Sequence, residues 1–132
     1  MSSEPAGSRR SPLSRARGYG SAKEGVHTFM AERISAVALV PLTLWFVFSV
    51  ARLPAASYAA AKHWVASPSV AVTLVLFLGA LFYHSSLGVK VVVEDYIAGE
   101  GKKLALLLAV KFVHAVLAAA GIFAVLMIAL GN

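Results

Sequence analysis

The chain has 132 residues, of which 59% are hydrophobic and only 14% charged, with a mean hydropathy of +0.78. Soluble domains run nearer roughly 45–50% apolar and about 25% charged. An ordinary cytosolic globule and a disordered chain are therefore excluded, and an integral membrane protein is expected. Cysteine is absent, which removes a disulfide framework, a thiolate metal site and a cysteine nucleophile.

The net charge of +6 suggests nucleic acid until the charges are located. Six of the twelve basic residues precede Ile34: Arg9, Arg10, Arg15, Arg17, Lys23 and Arg33. No aromatics interleave the first four arginines and no nucleic-acid-binding motif follows, so that reading is the weaker one. A basic tail held near anionic lipid is the stronger. Residues 1–25 are expected to be a flexible cytoplasmic tail, because Met1–Gly20 is rich in Ser, Pro, Gly and Arg. Residues 26–132 are expected to form the membrane unit.

Three apolar stretches follow the tail. The first, Ile34–Ala51, has 18 residues and no charge but contains Pro41, which membrane helices tolerate. The second, Val70–Val93, has 24 residues and is interrupted by His84 and Lys90. The third, Leu104–Leu130, has 27 residues and is interrupted by Lys111 and His114. Each is long enough to cross a hydrocarbon core of about 30 Å at ~1.5 Å per residue. They are too long for strands and lack alternation. The expected fold class is all-α, with three transmembrane helices at about 34–51, 70–93 and 104–130. Pro54–Pro68 is expected to be a loop, with Tyr58 and Trp64 as interfacial anchors. Ala55–Ala61 resembles a signal-peptide cleavage region, but the long tail with Glu4, Glu24 and Glu32 argues against one.

Basic residues outside the spans are unevenly placed. The chain before Ile34 has 6, and Lys102 and Lys103 lie on the same side, against Arg52 and Lys62 on the other. The positive-inside rule puts the N-terminus in the cytoplasm or matrix and the C-terminus outside. Lys90 and Lys111 lie within snorkelling reach of the inner surface.

Polar groups inside a bilayer are expensive and each needs a reason. The richest cluster runs from His84 through Gly88 to Glu94-Asp95-Tyr96. At ~100° per residue, Gly88 and Asp95 lie about 40° and 20° from His84, so the three share a helix face. Asp95 falls about 16 Å further along the axis, which places His84 near mid-membrane. Two readings of His84 stay open: a buried neutral imidazole bonded to a neighbouring helix, or an axial ligand to haem iron. Gly88, one turn on, leaves room for a flat group. His114 lies at similar depth and is a candidate second ligand, with a structural role the better reading. Asp95 and Tyr96 are either a helix-end carboxylate and an interfacial phenol, or a quinone head-group site. There a phenol donates to a carbonyl and a carboxylate passes protons.

The spacing His84-xxx-Gly88-xxxxxx-Asp95-Tyr96 resembles that of the membrane-anchor D subunits of succinate dehydrogenase, or complex II. So does the approach Arg17-Gly-Tyr-Gly-Ser-Ala-Lys-Glu-Gly25-Val-His27, followed by Arg33. The likeness covers roughly Arg15–Leu130. It implies that His84 is one axial ligand to a haem b whose opposite ligand comes from a cytochrome b556-type sister anchor. It implies that Tyr96 hydrogen-bonds ubiquinone with Asp95 beside it, and that Arg33 faces the haem propionates or the quinone pocket. It gives His27 a place near the same surface without a role. The implied partners are a flavoprotein subunit, an iron–sulfur subunit and the sister anchor, in a succinate:ubiquinone oxidoreductase of the respiratory chain and tricarboxylic acid cycle. A bacterial cytoplasmic membrane is expected, with the mitochondrial inner membrane as the alternative. Ser85-Ser86 and Lys90 replace bulkier apolar or aromatic residues of some relatives. The rival readings are a fumarate reductase anchor, a scaffold subunit without haem, a self-contained cytochrome using His84 and His114, and a small transporter subunit. The last would use Lys90, Lys111 and His114 as an ion path, but Lys90 lies about −120° from His84, off the candidate face, so the charged groups are not expected to line one route.

Overall fold

The computed structural model describes residues 22–54 and 57–131. The expected flexible tail therefore lies outside the described residues, except that 22–25 are helical. Among the described residues the chain forms four helices in the order α1 (Ala22–Ala51), α2 (Tyr58–Ala66), α3 (Pro68–Tyr96) and α4 (Glu100–Ala129). Three of these contain segments long and apolar enough to cross a membrane: Gly25–Ala51, Pro68–Tyr96 and Glu100–Ala129. The chain is thus an all-helical, multi-pass membrane protein. Contacts divide it into Met1–Ala31 and Glu32–Asn132. Of the first unit, the described part is the opening of α1, where Val26, Phe29 and Met30 are exposed.

The helices outrun the apolar stretches, because a hydrogen-bonded ladder does not stop where hydropathy falls. α3 continues through Glu94, Asp95 and Tyr96 before Ile97 caps it, its N–H donating to Val93 O at 3.1 Å. Only Ile97, Ala98 and Gly99 separate it from α4. Gly99 has φ +97°, a conformation open to glycine and strained for other residues. Its carbonyl accepts from Lys103 N at 3.0 Å to start α4.

The segment expected to be a loop contains α2 instead. Ser57 caps it, its Oγ accepting from Ala60 N at 3.1 Å, which satisfies one of the orphan donors of a first turn. Ser67 ends α2 and begins α3. Its N–H donates to Trp64 O at 3.2 Å, while its carbonyl accepts from Ala71 N at 2.9 Å. Pro68 enforces the break, since it lacks an N–H, extends the residue before it and suits the first position of a helix.

The buried core is small and lies toward the α2 end. Ala71 and Leu74 of α3 and Val125 of α4 are buried, with Trp45, Phe46 and Trp64 among the residues packed on them. Trp45 stacks on Trp64 at 5.9 Å between ring centroids, and Phe46 on Phe77 at 5.0 Å. Trp64 is therefore packed against α1, whereas Tyr58 is exposed. α3 and α4 run antiparallel, with Gly121 close enough to Leu78 that a Cβ there would sit 3.2 Å from Leu78 Cδ1. Many large apolar side chains remain exposed, among them Val37, Phe48, Val72, Phe112 and Phe123. A lipid or protein environment must cover them.

Candidate functional site

His84 lies well inside α3, about 18 Å from its Tyr96 end at ~1.5 Å per residue. Its ring meets α1 rather than α4. The His84 Nδ1 atom is 2.9 Å from Ser35 Oγ, and the same hydroxyl donates to the Glu32 carbonyl at 3.0 Å. A serine hydroxyl carries one proton. With that proton on the Glu32 carbonyl, Ser35 Oγ accepts at its other contact and His84 Nδ1–H is the donor. Nε2 then holds the lone pair, and among the described residues no hydrogen bond occupies it. Ser35 is only 7% exposed, a buried polar residue on a membrane helix. Sequence reasoning missed it. The available signal was a hydroxyl just inside the first apolar stretch, where a polar group wants a partner.

Gly88 is exposed, and a Cβ built on it meets nothing within 4 Å. Space beside the backbone below His84 is therefore open. Asp95 and Tyr96 occupy the end of α3, both exposed, Tyr96 at 82%. They share α3 with His84 about three turns away, so one helix holds the three. Arg33 is exposed on α1. It lies two residues before Ser35, hence about 160° around the helix from it, so α1 does not turn it toward His84. His27 is exposed at the opening of α1. One carboxylate oxygen of Glu32, Oε1, is buried without a hydrogen-bond partner among the described residues.

His114 has a different environment. Its Nδ1 donates to Val110 O at 2.8 Å, which leaves Nε2 to accept from Ser85 Oγ at 3.1 Å. Phe82 meets the ring edge-on at 6.4 Å. Both ring nitrogens are engaged, as a structural histidine requires. Ser85 thus links α3 to α4.

A groove of about 500 Å³ runs between α3 and α4, lined by Phe82, Leu87, Lys90, Lys111 and His114 among others. Lys90, Lys111 and His114 thus do share one groove, on the side of α3 turned away from His84. This corrects the helical-wheel argument, which considered α3 alone. Lys90 reaches along its helix to Glu94 at 3.7 Å, toward the Tyr96 end.

The model of the succinate dehydrogenase/fumarate reductase transmembrane subunit family matches residues 7–129. The chain belongs to that family. Similar proteins include the succinate dehydrogenase hydrophobic membrane anchor subunit of Paracoccus denitrificans, 36% identical over 109 residues, covering 83% of this chain and 84% of the relative. The protein of the same name from Rickettsia bellii is 30% identical over 102 residues, covering 77% and 82%. As a succinate dehydrogenase-type membrane anchor, the chain serves an enzyme complex from within the membrane. Membership also disposes of the transporter reading, which the shared groove alone would have left standing.

Proposed function

We propose that this chain is the anchor of a succinate:ubiquinone oxidoreductase, supplying one axial ligand to haem b through His84 Nε2 and one wall of the ubiquinone-reduction site through Asp95 and Tyr96. The observation that carries the reading is the His84 ring itself, with Nδ1 engaged by Ser35 and Nε2 unengaged. That arrangement suits the Nδ1–H tautomer, the one in which Nε2 is free to ligate a metal. The open backbone at Gly88 fits a flat macrocycle, so the residues present suit the group. Haem, when bound, supplies a one-electron centre beside the quinone site.

The remaining roles belong to this chain's own side chains. Tyr96 O–H donates to a quinone carbonyl, and Asp95 holds or passes a proton at the same surface. Arg33 serves the haem propionates or the quinone pocket from the outer side of α1, toward the sister anchor. The opposite haem ligand comes from that sister, and electrons arrive from succinate through flavoprotein and iron–sulfur subunits. The N-terminus lies in the cytoplasm of a bacterial cell and the C-terminus beyond the membrane.

The deciding experiment is a reduced-minus-oxidised absorption spectrum of the detergent-purified complex, for the parent and for His84→Leu. A low-spin b-type signal in the parent that is lost in the variant is the expected result. A parent complex with flavin and iron–sulfur subunits but no haem would make His84 structural.

A further inference from the structure

We infer that Ser35 is a positioning residue for the His84 imidazole, fixing its tautomer and ring angle from the neighbouring helix so that Nε2 alone is presented to iron. The inference rests on the haem reading above and adds a residue to it. The physical case is a chain of two hydrogen bonds. Ser35 Oγ lies 2.9 Å from His84 Nδ1 and 3.0 Å from the Glu32 carbonyl, and with the hydroxyl proton on the carbonyl, His84 Nδ1–H donates to Ser35.

Each link constrains the next. The Glu32 carbonyl can only accept, so when the hydroxyl proton rests on it Ser35 Oγ is the acceptor for His84 Nδ1–H. Donation by that hydroxyl also polarises its oxygen and strengthens it as an acceptor. The bond back to the carbonyl three residues earlier fixes the hydroxyl relative to α1, so the imidazole is held by a preset atom rather than by a free rotor. Ser35 is 7% exposed, so water does not compete for the contact. An imidazole donating from Nδ1 is a more basic ligand at Nε2. That favours ferric over ferrous iron and holds the haem potential down.

The test uses the whole purified complex with Ser35→Ala, Ser35→Val and Ser35→Thr. Valine and threonine match in shape and differ in the hydroxyl, so they separate packing from hydrogen bonding. Haem retention in detergent and the haem midpoint potential are read for each. The Ala and Val variants should bind haem about 10–100-fold more weakly, the usual cost of losing such a partner. Their potential should rise, with about 59 mV for each tenfold change in relative affinity for the two oxidation states. The Thr variant should match the parent in both. Parent-like retention and potential in the Val variant would overturn the inference, as would equal shifts in Val and Thr. Failure of the underlying reading has a separate signature, a low-spin haem spectrum that survives His84→Leu.

Discussion

Tyr96, the proposed quinone contact, is held on the surface of a helix. Its phenol stands at the last turn of α3 and is 82% exposed, so the helix alone sets its position and any quinone pocket around it would need a partner chain. If it donates to a quinone carbonyl, Tyr96→Phe removes one hydrogen bond to a group that gains charge, worth about 1.5–3 kcal/mol. Quinone reduction by the complex should then fall roughly 10–150-fold in kcat/KM, while dye reduction by the soluble subunits persists. Equal loss of both activities would point to failed assembly instead. The candidates His84, Asp95 and Tyr96 stood out in the sequence because His84 is ionisable within an apolar span and Asp95-Tyr96 lie just past its end. Ser35 was not, because a lone serine at the edge of a span is unremarkable and its partner lies 49 residues away. The shared groove of Lys90 and Lys111 was hidden for a related reason: a wheel drawn for one helix carries no information about the helix beside it.

The turn between α3 and α4 depends on one backbone angle. Gly99 at φ +97° joins two helices of 29 and 30 residues through a three-residue link. Gly99→Ala meets no steric neighbour within 4 Å, so its cost is backbone strain, on the order of 1–3 kcal/mol. A thermal midpoint below that of the parent complex is the expected outcome, whereas Gly101→Ala, inside α4 and in open space, should not lower it. The long helices were legible because about 20 apolar residues have few other uses. Their ends were not, since hydropathy marks the membrane and hydrogen bonding marks the helix. α2 went unread because nine residues of mostly small side chains have no strong period. The signals available were the cap at Ser57 and the stop at Ser67-Pro68.

Across the molecule, packing and chemistry are separated along the helix axes. The aromatic cluster of Trp45, Phe46, Trp64 and Phe77 gathers near the α2 end, while Asp95 and Tyr96 stand at the other. If the basic residues orient the chain as the positive-inside rule requires, a periplasm-dependent reporter fused after Asn132 should be active and a cytoplasm-dependent one silent. The reverse pattern would place Asp95 and Tyr96 on the opposite surface. α3 is central to this arrangement through two consecutive residues. His84 is bonded to α1 and Ser85 to α4, in directions about 100° apart. Turning α3 about its own axis to relieve one bond would pull the other out of reach. The helix is keyed from two sides, and the bearing of the His84 ring is set in part by a histidine on the far helix that never touches it.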